Sequence, residues 1–308
     1  VGNYSEQDIK ACARAFTGWT IGNREYMELR SQRDSDWPYG RISWHFEYHT
    51  EDHDDGEKEF LGQRGRFNGE DVIDIICQQQ ATARFISRHM YSFFVANEPP
   101  VPEWPDTPPS NEHAIEQLSQ VYFDSGYDIT AMLRVLFKAD FFTSQTSWYT
   151  KVKSPVELVA GVLRLTGEID RPRREMLDRH LQAVYMGQYL NNPPSVEGWH
   201  EGTDWLDTGT LVERVNFATQ QMGDPQKPGV QAMISKIAAI AECGISPERL
   251  VGECLDQMGA ISVSEDTLRV LIDFASMGGG ARSTDDQARQ QIAAVIQMVA
   301  STQEFQRS

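Results

Sequence analysis

The densest run of metal-ligating and acid–base side chains lies between residues 45 and 58. His45, His49 and His53 recur every four residues, with Asp52, Asp54 and Asp55 among them. Imidazole with carboxylate suits a transition metal, and the acids alone suit calcium. A divalent metal held by His53, Asp54 and Asp55 is therefore one reading of the segment. The other is a solvated hairpin rim ending in an aspartate-rich turn. The backbone decides which side chains meet. On a helix the three histidines would share a face; on a strand His45, Glu47 and His49 share one side.

Two further groups carry chemistry. Arg14 stands in an otherwise apolar helix end beside Phe16 and Trp19. A long cation there caps carbonyls, pairs with a buried acid or stacks on an indole. The loop from Pro193 to Trp205 carries Trp199, His200, Asp204 and Trp205. Two tryptophans among prolines resemble a platform for sugar faces or proline rings, which would make the chain a carbohydrate-binding module. The rival reading is a loop nailed to the core by Trp199. Arg214 and Asn216 follow on the next helix. Together these groups point to a binding site drawn from Arg14, Trp19, His53, Lys58, Trp199, Trp205 and Arg214. No GxSxG elbow, phosphate-cradling glycine loop, HExxH or dinucleotide fingerprint occurs, so no spacing singles out a nucleophile with its base.

The elements that would position these residues are mostly helices. Ser5-Glu6-Gln7-Asp8 reads as a cap with an acid three residues on, opening a helix through about Phe16. Asn68-Gly69-Glu70-Asp71 opens another. A helix over Ala81 to about Val95 puts Phe85, His89 and Phe93 on one stripe. Ser154-Pro155-Val156-Glu157 is the strongest start, with serine at the cap, proline at the first position and glutamate at the third. Further starts fall at Asn111, Asp128, Thr208, Ser246, Ser264 and Thr284. One segment has period two: Ile42, Trp44, Phe46 and Tyr48 alternate with polar residues, Asp54-Asp55-Gly56 supplies a turn, and residues 59–62 return. The expected fold is mainly α, a multi-helix bundle with one small β-hairpin near residues 41–63. The proline-rich stretch 97–110 forbids a helix. A break at 223–229 divides a main body, 1–222, from a C-terminal helical bundle, 223–308.

Composition narrows the function class. The chain has 308 residues, 40% of them hydrophobic, enough for a sizeable core. Its net charge of −17 repels phosphate backbones, so nucleic acid is not an expected partner, while cations or a basic partner are compatible with it. No apolar run is long enough to span a membrane. The four cysteines, Cys12, Cys77, Cys243 and Cys254, form no CxxC pair, which argues against a cysteine-rich zinc site. Cys243 and Cys254 are close enough in sequence to bridge two short helices; free buried thiols are the alternative.

Ordered segments along the chain carry a family resemblance. They are Ala13 to Trp19, His53 to Lys58 with Phe60-Leu61-Gly62, Ala81 to Ile86, and Lys153 to Leu158. Gly187-Gln188 with Pro193 to Trp199, Leu211 to Phe217, and Glu304-Phe305-Gln306 complete the set. In this order they resemble the domain of unknown function 1800 family. The resemblance implies an exported bacterial protein, periplasmic, cell-surface or extracellular, encoded beside a second family with a sulfatase-like fold. That makes a sulfatase-like protein the implied partner. It also implies an N-terminal half, ending in an Asn-Glu-Asn…Ala-Arg-Glu helix, that would precede Val1, so the chain reads as the C-terminal portion of a longer protein whose missing half is a second implied partner. Cys12 and Cys77 depart from the small or aliphatic residues usual in that pattern, which hints at a bridge between the first two helices. No activity comes with the resemblance. It leaves three readings: a binding or assembly subunit of a cell-envelope or extracellular complex, a metal-assisted enzyme acting on an extracellular polymer or sulfated substrate, and a carbohydrate-binding module.

Overall fold

The capping signals form as written. In the computed structural model, Ser5 Oγ accepts from the Asp8 amide while the Asp8 carboxylate accepts from the Ser5 amide at 2.7 Å, and helix α1 (Glu6–Ala15) follows. Asn68 and Asp71 repeat the reciprocal cap before α2 (Gly69–Cys77). These pairs satisfy amide donors that a helix start otherwise leaves open. The structure describes residues 3–22, 44–169, 178–196, 198–199, 201–241, 244–277 and 285–308. The helix start expected at Thr284, together with residues 41–43, His200 and Cys243, lies outside them.

Two compact units divide the chain: Val1–Met90 with Asn111–Lys138, and Tyr91–Ser110 with Ala139–Ser308. The boundary expected at 222/223 falls inside the second unit. The first unit holds α1, α2, α3 (Gln80–Phe94) through Met90, α4 (Glu112–Asp124) and α5 (Ile129–Leu136). Ala11 and Ala15 of α1 pack with Val72 and Ile75 of α2 and with Phe60. Ser87 and Ser119 meet at 3.2 Å, two small residues that bring α3 and α4 close.

The strand expected over 41–48 is present as β2 (His45–Tyr48), but its partner differs. It pairs antiparallel with β1 (Trp19–Gly22), Trp19 opposite Tyr48 and Gly22 opposite His45. The segment expected to return instead folds on itself, β3 (Lys58–Phe60) against β4 (Gln63–Gly65). Leu61 and Gly62 between them have φ of 45° and 77°, the two left-handed positions of a tight hairpin turn. That local turn wins, and the Asp54–Gly56 turn is occupied elsewhere. The β part near 41–63 is thus two small pairs.

The second unit is wholly helical apart from loops and isolated bridges, among the described residues. It contains α6 (Asp140–Thr143), α7 (Pro155–Leu165), α8 (His180–Tyr185) and α9 (Thr208–Met222), then α10 (Pro228–Ala241), α11 (Pro247–Gln257), α12 (Glu265–Met277) and α13 (Asp285–Ala300). Its core joins Leu158 and Val162 of α7 to Phe217, Ile237, Leu250 and Val295. The helices on both sides of the 223–229 break share this core, because α9 and α10 both pack on α7 and α13. Among the described residues no helix is long and apolar enough to cross a membrane.

Candidate functional site

The seven expected binding residues fall in two units, and each group is taken within its own. Arg14, Trp19, His53 and Lys58 belong to the first. Arg14 Nε and Nη2 donate to the two carboxylate oxygens of Asp54 at 2.7 and 3.1 Å, and Nη1 donates to the Glu57 carbonyl. Thr17 Oγ accepts from the Asp54 amide at 2.8 Å, and the Thr17 carbonyl lies 2.9 Å from His53 Nδ1, which fixes that nitrogen as the protonated one. Lys58 is buried, and its ammonium donates to the Asp54 and Gly56 carbonyls. Trp19 donates its indole N–H to Asn68 and stands edge-on to Phe16 and Phe46. Arg14 and Thr17 pin the 53–58 loop to the end of α1, Lys58 closes that loop on itself, and Trp19 ties to the cap of α2.

This arrangement bears on the metal reading. Both oxygens of Asp54 face a guanidinium, and His53 Nε2 is 3.9 Å from Asp55. Among the described residues no group of three His, Cys, Asp or Glu is placed to hold a metal ion. His45, Glu47 and His49 do share one side, as a strand requires. The two imidazoles approach the Glu47 oxygens at 2.8 and 3.4 Å, so the carboxylate lies below its ordinary range through its bonds to His49 and His45. The Cys12–Cys77 bridge is not formed: both are free, and Cys12 packs beside the α1–α2 cluster. Cys254 is a free buried thiol as well, and Cys243, its expected partner, lies outside the described residues.

In the second unit the tryptophan platform loses a member. Trp205 is only 7% exposed, lies against Gly187, and its carbonyl accepts from Thr210. It nails the loop that Trp199 was expected to nail, while Trp199 is half-buried.

The remaining expected residue, Arg214, opens onto something the spacing did not reveal. It projects from α9, is 0% exposed, and donates to Gln306 Oε1 at 3.2 Å and to the Lys153 carbonyl at 2.6 Å. Burial pulls its pKa down to about 10, with Glu157 opposing. The closing segment lies antiparallel to the residues before α7: Lys153 N donates to Gln306 O, and Ser308 N to Lys151 O. Lys153 Nζ donates to the Phe305 carbonyl at 2.8 Å and sits 5.0 Å above the Phe305 ring. Burial holds its pKa below the ordinary lysine value. Three buried atoms at this junction have no partner: Arg214 Nη1, Gln306 Nε2 and Glu304 Oε2.

Beside this junction is a cleft of about 290 Å³ between α7, the 258–261 loop and the closing segment. Lys153, Arg307, Glu157, Glu304, Tyr149 and Ser308 supply its polar lining, and Leu158 and Ile261 are among its apolar wall. Glu304 is 7% exposed. Burial pushes its pKa up, but the Ser264 amide and the Thr267 and Ser264 hydroxyls outweigh that, so the carboxyl sits below its ordinary value. Those donors serve Oε1, the Ser264 amide and the Thr267 hydroxyl each at 3.0 Å; Oε2 has none. The floor includes Gly161, in the middle of α7, where an added Cβ meets nothing within 4 Å. Lys153, Glu304 and Gln306 were legible only as pieces of ordered motifs. The signal that joins them is that three far-separated motifs, at 153–158, 211–217 and 304–306, meet here.

A model of the family described as protein of unknown function (DUF1800) matches residues 1–307. The match takes in all but the last residue of the chain. No curated protein and no solved structure matches significantly.

Proposed function

Since the chain belongs to the DUF1800 family, whose description names no activity, we propose from the cleft itself that the protein is a binding or assembly subunit that docks a partner segment beside α7. One observation carries this reading: Gly161. A glycine in the middle of a helix is less stable than alanine by about 0.5–1 kcal/mol, and here a side chain would meet no obstruction. A bare helix surface at this position leaves the floor of the cleft free for an occupant. The size fits. At about 290 Å³ the cleft is at the lower end of ligand sites, which run from roughly 300 to 1,000 Å³. It accommodates one or two side chains of a partner rather than a polymer chain. The setting, an exported protein in a cell-envelope or extracellular complex with a sulfatase-like partner, rests on the family resemblance.

The test is the complex itself. Cross-linked complexes formed by wild type and by Gly161→Trp are compared, with melting temperature as the control for folding. The reading expects a partner bound by wild type and lost when the tryptophan fills the cleft. Equal capture of the same partner by both proteins would sink it.

A further inference from the structure

We propose that the outer face of α12 is a separate docking surface, and that it takes an amphipathic partner helix whose apolar seam is edged by lysine or arginine. Three side chains form the face. Val270, Phe274 and Met277 are 53%, 38% and 84% exposed. They lie four and then three residues apart, so they make one row along the helix. A different row, Leu271 and Ala275, is buried where α12 packs on α11 and α13. The helix is thus apolar on two sides, and the inner one holds it in the bundle.

Single exposed apolar side chains are ordinary, but a continuous row of them marks an interaction site. A spacing of four and then three is that of a seam against which a second helix lays its own apolar side chains.

Charge selects among helices. Asp273 stands three residues after Val270 and four before Met277, and Asp266 stands four before Val270, so both border the row. Asp266 is shared with Arg269 at 3.2 Å, an exposed pair that contributes little. Asp273 has no ion-pair partner among the described residues. A cation beside the partner's seam would meet it, as flanking charges do in paired helices. The net charge of −17 acts in the same sense. A second copy of this chain would bring the same aspartates and the same net charge to the contact, which like-charge repulsion disfavours. None of these residues lines the cleft beside α7, so this surface does not depend on the docking reading above.

The experiment titrates the full chain with two capped peptides of about 20 residues, long enough to form a helix. Both carry leucines spaced alternately three and four apart; one has lysines beside them and the other glutamates. Residue-resolved NMR reports where each binds. The lysine peptide is expected to shift resonances of 265–277 and to bind at least about tenfold more tightly than the glutamate peptide. Val270→Ser with Met277→Ser changes two exposed positions, so the melting temperature should hold while lysine-peptide affinity falls about tenfold. Asp273→Lys should reduce the preference for lysine. Equal binding to wild type and the double variant would mean that net charge alone draws the peptide, and would overturn the proposal. No binding of the lysine peptide, equal or tighter binding of the glutamate peptide, an unchanged preference in Asp273→Lys, or shifts confined to other residues would overturn it as well. Self-association of the wild-type chain in sedimentation, abolished by the double variant, would assign the face to a second copy instead. The peptide comparison and the shift map on the unaltered chain decide even if a variant does not fold. Gly161→Trp should leave peptide binding intact; its loss there would place the peptide in the cleft and remove this surface.

Discussion

Asp54 receives both arms of the Arg14 guanidinium and the Gly56 amide, and these donors hold its carboxyl well below the usual aspartate range. The unfolded chain therefore takes up a proton at higher pH than the folded one. The contribution of the pair is full above the ordinary aspartate value, about 3.9, and is lost as pH falls through the native value. Asp54→Asn should lower the melting temperature near neutral pH, and the gap from wild type should close as the pH is taken below about 4; a gap that persists unchanged in acid would refute the pairing. Arg214 calls for a different measurement. Replacing it with leucine removes two bonds made by a charged donor, at about 1.5–3 kcal/mol each, and also removes a buried charge that was costly to desolvate. A net loss of about 2–4 kcal/mol in denaturant unfolding is expected. These two arginines explain what could be read of the site in advance. Arg14 and Arg214 were both conspicuous as cations in apolar surroundings, which composition and periodicity expose. Which one is fully partnered and which has an open nitrogen depends on residues 40 and 92 positions away, and no local pattern carries that. Glu304 was less visible still, because a glutamate near a helix end reads as ordinary surface.

At the scale of elements, the helix starts were legible because a cap and its acid lie three residues apart: Ser5 with Asp8, Asn68 with Asp71, Ser154 with Glu157. The strand at 45–48 was legible from its alternation, but its partner was not. β1 is four residues long and pairs across an interval of more than twenty residues. The β3–β4 turn, by contrast, is closed by two residues, and the Leu61 amide is tied back to Asp8 of α1 at 2.7 Å. Two glycines give opposite predictions. Gly229 at the start of α10 donates to the Thr166 carbonyl, and a Cβ there would lie 1.9 Å from the Leu165 carbonyl oxygen. Gly229→Ala should destabilise by about 1–3 kcal/mol, since backbone must shift to admit it. Gly161→Ala should stabilise by about 0.5–1 kcal/mol. Chemical denaturation of both variants checks the pair; a destabilising Gly161→Ala would mean the cleft floor is not open.

The molecule as a whole combines a strongly acidic exterior with a second unit whose buried junction is rich in cations, Lys151, Lys153 and Arg214, the pKa of each depressed by burial. Its core also holds Cys254, whose thiol is pushed up to about 12 by burial, with Glu253 adding to the effect. Cys254 should resist alkylation in the folded protein and react only as the second unit opens, so its labelling rate across a denaturant series, read by mass spectrometry, should follow unfolding. Rapid labelling under native conditions would mean that core is looser than described. The most direct check of the cleft is hydrogen–deuterium exchange on the protein with its cross-linked partner. Protection should concentrate on residues 155–165, 258–261 and 304–307. Protection on residues 14–19 and 53–58, with the cleft peptides unchanged, would contradict the assignment.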